Sequence, residues 1–128
     1  AMGLSVLNHI DEIFESRKKI YEFYDENLNF NNYRKFLIRP FTEWNYSYYP
    51  IIFNSENELN IIRDVLEKNN IYPRRYFYPT LEDLPYLKSN KCPIAREISS
   101  TILCLPFYSQ LETHSVKKIA DLINNTFE

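Results

Sequence analysis

From residue 4 to residue 28, apolar side chains return every three or four positions: Val6, Ile10, Ile13, Ile20 and Tyr24, with Leu7, Phe14, Tyr21 and Leu28 beside them. That period predicts one long amphipathic helix. Ser5 is available as its N-cap, and Asn27 and Asn29 supply stop signals. Two apolar rows are wide for a helix with only about 100 further residues to cover. Part of the stripe is therefore expected to need a partner outside this chain.

A polar loop at residues 29–33 follows, and Lys-Phe-Leu-Ile-Arg at residues 35–39 reads as a short strand ended by Pro40. Residues 46–53 (Tyr-Ser-Tyr-Tyr-Pro-Ile-Ile-Phe) read as a second strand, dense in aromatic and β-branched residues. Pro50 inside it predicts an edge position or a bulge. Ser55-Glu-Asn-Glu58 is a capping box that opens a helix running to about Asn69, with Leu59, Ile62, Val65 and Leu66 on its buried face. Asn69-Asn70 makes a turn, and residues 71–78 read as a third strand. Residues 80–87 form a loop or short helical turn. Pro93 suits the first position of a short helix at residues 94–100. The apolar run Ile102-Leu-Cys-Leu105 reads as a buried central strand stopped by Pro106. Thr113 or Ser115 caps a last helix with Val116, Ile119, Ala120 and Ile123 inward. The whole is an α+β fold: a small mixed or antiparallel sheet packed with helices, preceded by one long N-terminal helix. No repeat or linker interrupts it, so residues 1–128 read as one domain, with 1–28 as the long helix and 29–128 as the α+β body.

Composition narrows the chemistry. A chain of 128 residues can bury a real core, and 45% hydrophobic with 25% charged is ordinary for a soluble protein. With one Gly, neither a P-loop nor a dinucleotide fingerprint can be written, so nucleotide phosphates would have to be held by side chains or a helix N-terminus. A net charge of −2 supplies no field for nucleic acid, although 11 Tyr and 9 Phe could stack on single strands. Cys92 and Cys104 match no zinc or redox spacing, and neither His completes one, so no metal is expected. Buried thiols without a disulfide are the default reading. No apolar run approaches a membrane span and no signal sequence is present, so a cytoplasmic protein without membrane contact is expected. Ala1 ahead of Met2 reads as an expression-tag remnant, with the natural chain beginning at Met2.

The one stretch with site character is residues 72–79, Tyr-Pro-Arg-Arg-Tyr-Phe-Tyr-Pro. Prolines fence two adjacent guanidiniums among four aromatics. As a strand it would place Arg74, Tyr76 and Tyr78 on one face and Arg75 and Phe77 on the other. A wet cationic face suits a phosphate or carboxylate. The same residues would also serve as a solvated sheet rim. No catalytic set stands out: His9 and His114 lie at opposite ends, and the carboxylates and basic runs read as solvated faces.

The chain resembles the C-terminal part of the DegT/DnrJ/StrS sugar aminotransferases over nearly its whole length. The opening Ala-Met-Gly-Leu-Ser-Val-Leu-Asn-His-Ile-Asp-Glu-Ile, Arg17-Lys18-Lys19 and Tyr24-Asp25 are similar to that family's helix joining large and small domains. Tyr46-Ser-Tyr-Tyr-Pro-Ile51 resembles its first strong small-domain strand, and Arg74-Arg-Tyr-Phe-Tyr-Pro79 its substrate-side loop. Cys92-Pro-Ile-Ala95 and Ile102-Leu-Cys-Leu-Pro106 resemble its late helix and strand. Where many members continue Tyr-Pro with Pro-Leu-His, this chain has Thr80-Leu81-Glu82.

The resemblance implies the aspartate-aminotransferase fold, with pyridoxal phosphate (PLP) on a large-domain lysine moving an amino group, commonly from glutamate, to a nucleotide-linked keto sugar. The PLP-binding large domain would be missing here, and none of this chain's lysines stands in the family's lysine motif. The expected entity is thus a catalytically incomplete small domain with no cofactor of its own. In a complete enzyme Arg74, Arg75, Tyr76 and Tyr78 would bind the nucleotide-sugar substrate. Self-association, or contact with a large domain, is expected through the first helix. Two other classes compete: a non-catalytic module pairing with a separate large-domain chain, and a binder of single-stranded nucleic acid.

Overall fold

A computed structural model describes residues 2–88 and 91–127; Ala1 lies outside them. Its elements are α1 (Met2–Leu7), α2 (Ile10–Asn27), β1 (Tyr33–Lys35), β2 (Tyr49–Phe53), α3 (Glu56–Lys68), one turn of 3-10 helix (Leu81–Asp83), α4 (Pro93–Thr101), β3 (Ile102–Leu105) and α5 (Thr113–Asn125). The expected α+β class holds, and the sheet is wholly antiparallel in the order β1-β2-β3.

The single long helix of the sequence reading is two helices. They meet at Asn8 and His9, both weak helix formers, where the His9 N–H donates to the Val6 carbonyl at 3.0 Å. Among the described residues the first turns are left open: Leu4 is 72% exposed, and Val6, Leu7 and Phe14 are exposed as well. Burial starts late in α2, at Ile20, Tyr21 and Tyr24. A helix owes most of its stability to the face it buries, so the break falls where burial is lacking.

β2 carries the core of the sheet. Tyr49, Ile51 and Phe53 alternate inward, fully buried. Contrary to the edge position expected from Pro50, β2 is the middle strand. In an antiparallel ladder a residue directs its N–H and C=O to one side, and successive residues alternate sides. Pro50 stands opposite Cys104, which exchanges both backbone bonds with Arg74 on its far side, at 2.9 and 2.8 Å. β1 ends at Lys35 opposite Ile51, one residue short of Pro50. The missing N–H is therefore not needed on either side. β3, expected to be central, is the last named strand and is extended only by that one bridge to Arg74.

β1 lies earlier than the run at residues 35–39. Tyr33 takes the register opposite Phe53, buried against that ring at 5.7 Å between centroids, while Leu37 is left exposed. The buried tyrosine sets the pairing, and of the later apolar run Ile38 still packs against the core. α3 forms as expected. The Ser55 hydroxyl accepts from the Glu58 N–H at 3.2 Å, and the Glu58 carboxylate reaches back to the Asn54 N–H at 3.1 Å. The helix closes with Asn70 at φ 60° and the Ile71 N–H donating to the Leu66 carbonyl at 3.0 Å, a Schellman ending. Pro93 opens α4, and α5 turns Val116, Ile119, Ala120 and Ile123 inward as expected. Glu112, rather than Thr113 or Ser115, occupies its N-cap position.

Packing is aromatic. Tyr24 stacks on Tyr49 at 4.5 Å, Tyr21 meets Tyr49 edge-on at 5.0 Å, and Tyr33 and Phe53 both pack on Phe127. The polar ends of these rings are satisfied. The Tyr24 hydroxyl donates to the Pro106 carbonyl at 2.9 Å, and Tyr49 to Asp25 Oδ1 at 2.6 Å, while Asp25 also pairs with Lys35. Burial raises the Tyr24 and Tyr49 pKa values well above the tyrosine range. Asn124 of α5 joins three segments: its Oδ1 accepts from the Asn29 N–H at 2.9 Å and the Tyr33 hydroxyl at 3.1 Å, and its Nδ2 donates to the Asn27 carbonyl at 2.9 Å. Asn124→Ala should therefore cost about 2 kcal/mol of unfolding free energy, from three bonds lost at roughly 0.5–1.5 kcal/mol each. Urea denaturation followed by circular dichroism checks this, and an unchanged midpoint would contradict it.

Candidate functional site

Residues 71–78 do not form the third strand expected of them. Pro73 and Pro79 withhold backbone donors, and only Arg74 pairs, with Cys104. The strict alternation of side chains is lost with the ladder that would have enforced it. Arg74 and Tyr76 stay together, the guanidinium donating to the Tyr76 hydroxyl at 2.8 Å. Tyr78, expected on their face, is with Arg75 instead: that guanidinium lies 3.5 Å from the Tyr78 ring centroid. Arg75 Nη2 also reaches Glu56 Oε1 at 2.9 Å and the carbonyls of Ser100 and Ser99 at 3.1 and 3.4 Å. Hydrogen bonds from Arg75 and Tyr78 hold the Glu56 carboxyl below its ordinary pKa. Phe77 is exposed, and its carbonyl accepts from the Ser99 hydroxyl at 2.7 Å.

A cavity of about 360 Å³ opens on the Arg74 side. Ser47, Tyr48, Tyr72, Arg74, Tyr76 and Tyr108 form its polar walls, and residues 104–107 the rest of its lining. Arg74 is the one cation of that lining, and the lining contains no carboxylate. Among the described residues none of the ion pairs engages Arg74, in contrast with Arg75. An unpaired guanidinium among phenol hydroxyls suits an anion carrying further hydroxyl groups. Cys104, in the lining, is pushed up by burial to about 11, so its thiol stays protonated at neutral pH and is a poor nucleophile. It is not bonded to Cys92.

The structure thus brings two of the four candidate residues, Arg74 and Tyr76, to the cavity, and sets Arg75 and Tyr78 behind them. Sequence reasoning missed Tyr48, Tyr72 and Tyr108 as cavity residues. Tyr72 was inside the singled-out stretch. Tyr48 sits just before β2 and packs edge-on to Tyr76 at 5.4 Å between centroids, and Tyr108 follows β3. Only the pairing of Arg74 with β3 brings these segments together. Glu82 is turned away from the cavity, its side chain nearly buried. It accepts from Arg96 Nε at 2.9 Å and from the Cys92 N–H, while Asp83 takes Arg96 Nη2 at 2.6 Å. His9 contacts Glu12, His114 contacts Glu112, and neither lines the cavity. Among the described residues no three His, Cys, Asp or Glu side chains gather as for a metal ion. No helix among them is long and apolar enough to cross a membrane.

The sequence matches the DegT/DnrJ/EryC1/StrS aminotransferase family over residues 1–124. The chain belongs to that family. It is 34% identical over 134 residues to a dTDP-4-amino-4,6-dideoxy-D-glucose transaminase of Escherichia coli, covering 96% of this chain and 36% of that protein. The chain thus spans about a third of the length of the curated relatives it matches. Its fold superposes on the aminotransferase TlmJ of Streptoalloteichus hindustanus with a TM-score of 0.88 at 20% identity, over 98% of this chain and 34% of that one. It also superposes on the PLP form of the sugar aminotransferase Spr1654 of Streptococcus pneumoniae, with a TM-score of 0.80 at 20% identity, over 96% and 34%.

PLP-dependent family members prompt the question whether this chain's residues fit the cofactor. They do not. The cavity has no lysine in its lining. Lys35 lies beside Asp25 and over the Tyr21 ring at 4.8 Å. Burial pulls the pKa of this amine down, but Asp25 and Tyr21 outweigh burial and the net displacement is upward. An amine that must be uncharged to attack an aldehyde needs the opposite.

Proposed function

We propose that this chain is the substrate-facing small domain of a cytoplasmic, PLP-dependent aminotransferase acting on nucleotide-linked keto sugars, and that it is catalytically incomplete by itself. The observation that carries the reading is the cavity: an unpaired Arg74 set among the hydroxyls of Tyr48, Tyr72, Tyr76 and Tyr108. Arg74 offsets phosphate charge, and the phenol hydroxyls hydrogen-bond the sugar. Arg75 and Tyr78 belong to the same wall as the layer behind it. Family membership and the dTDP-sugar transaminase among the relatives support this choice of anion. The amino-transfer chemistry belongs to groups outside this chain, and the cavity contributes binding and orientation.

The exposed Leu4, Val6, Leu7 and Phe14 favour a companion statement: the α1–α2 face docks on a large domain, or on a second copy where none is present. In sedimentation velocity at high protein concentration the chain should form dimers or larger species, and Leu4→Lys with Leu7→Lys should return it to monomer. A wild-type chain that stays monomeric throughout would count against the self-association.

The cavity is tested by titrating the isotope-labelled chain with dTDP and following amide and ring NMR resonances. Shifts should concentrate at Tyr48, Tyr72, Arg74, Tyr76 and Tyr108, and Arg74→Met should weaken binding about tenfold or more, as loss of a charge-assisted contact does. Absence of cavity shifts at millimolar dTDP would overturn the assignment. For the incompleteness, the chain is mixed with PLP and treated with borohydride. No single lysine should be labelled preferentially in the peptide map, and stoichiometric labelling of one lysine would refute the reading.

A further inference from the structure

Arg74 and Arg75 are neighbours in sequence, yet their side chains have opposite fates. Arg74 lines the cavity, and among the described residues its guanidinium has only the Tyr76 hydroxyl as a hydrogen-bond partner. Arg75 has a side chain only 14% exposed and is committed to three oxygens from two helices. Ser99 and Ser100 lie in the last turn of α4, where helix carbonyls lack intrahelical donors and carry the negative end of the dipole. Glu56 lies in the first turn of α3, and the face of Tyr78 closes the remaining side. One planar cation thereby ties the start of α3, the end of α4 and the far end of the 72–79 segment. Besides this grip the segment is held by the two backbone bonds between Arg74 and Cys104, the Ser99 hydroxyl on the Phe77 carbonyl, the hydrogen bond of Tyr78 to Glu56 and the packing of Tyr48 on Tyr76. A segment with so few bonds depends on each of them for its aim.

We infer that Arg75 is a positioning residue: held between Glu56, the α4 carbonyls and Tyr78, it fixes the 72–79 segment so that Arg74 and Tyr76 face the cavity. The inference rests on the reading of that cavity as an anion site, but its geometric part stands apart from any ligand. Arg75 does not line the cavity. It acts through the orientation of Arg74, and preorganised donors bind more tightly than mobile ones. A lysine replaces it only in part: one nitrogen, Nη2, makes all three oxygen contacts, as an ammonium can, but a lysine has no planar face to lay on the Tyr78 ring.

The test uses the 128-residue chain with Arg75→Met, Arg75→Lys and Glu56→Gln, read in two ways. The first readout is amide hydrogen exchange at Arg74 and Cys104 compared with core amides of α5, in the absence of ligand. Both Arg75 variants should speed exchange at Arg74 and Cys104 while α5 stays protected, and Glu56→Gln should do so more weakly. The second is dTDP affinity by NMR, which should fall about tenfold in Arg75→Met and recover only in part in Arg75→Lys, which lacks the ring contact. In the double variant, Glu56→Gln should add little to Arg75→Met, because the two act as one unit. If wild type binds dTDP and Arg75→Met binds it equally, the positioning role is overturned while the cavity assignment stands. If wild type does not bind, the cavity assignment fails, and unchanged exchange at Arg74 would overturn the positioning role as well. Should Arg75→Met lose its fold, Glu56→Gln carries both readouts, and no change in either would sink the inference.

Discussion

The peptide of Cys104 is the connection on which the sheet and the cavity both depend. On one side Cys104 stands opposite Pro50, and on the other its N–H and C=O are both taken by Arg74. A proline in the middle strand is tolerated because the ladder asks nothing of Pro50 at that point. The same pairing brings the segment after α3 alongside β3, next to the residues that precede β2 and those that follow β3. Without it Tyr72, Arg74 and Tyr76 would not share a cavity with Tyr48 and Tyr108, and an arginine in an exposed loop would have no walls around it.

Around that peptide, two kinds of polar contact divide the labour. Inside, hydroxyls and amides at the ends of aromatic rings are satisfied: Tyr49 by Asp25, Tyr24 by Pro106, Tyr33 by Asn124. Buried polar groups without partners are costly, so these contacts fix how α2, α5 and the sheet sit together. At the rim, Arg75 is committed through Nη2 to Glu56 and the α4 carbonyls, while its neighbour Arg74 enters no ion pair among the described residues. Rigidity behind and an unspent charge in front is how a binding site on a short, weakly paired segment can be held to one geometry.

Burial is uneven along the chain, and the unevenness has a direction. The second half of α2 is inside, the first half and α1 are not, and the apolar residues there are as large as those of the core. The chain spans about a third of the length of the curated relatives it matches. The break at His9 follows from the same lack of contact.

Local signals in the sequence were enough for much of the fold. The capping box at Ser55, the inward stripe of α5, the proline at the start of α4 and the apolar run of β3 each carry their own physics within a few residues, and each was legible. The α+β class followed from their order, and the stretch holding Arg74, Arg75, Tyr76 and Tyr78 could be singled out as a candidate from its local run of arginines, aromatics and prolines. What the sequence could not determine depends on contacts between distant segments. The register of β1 was decided by which ring entered the core, Tyr33 rather than Leu37. The position of β2 in the middle was decided by where β1 stops and where Cys104 sends its hydrogen bonds. Residues 72–79 read as a strand because they alternate. The sheet offered them a single bridge, and Glu56 and the end of α4, far away in sequence, drew Arg75 and Tyr78 to the other side. Periodicity reports what a segment can bury, and only the tertiary structure decides which neighbours are there to bury it.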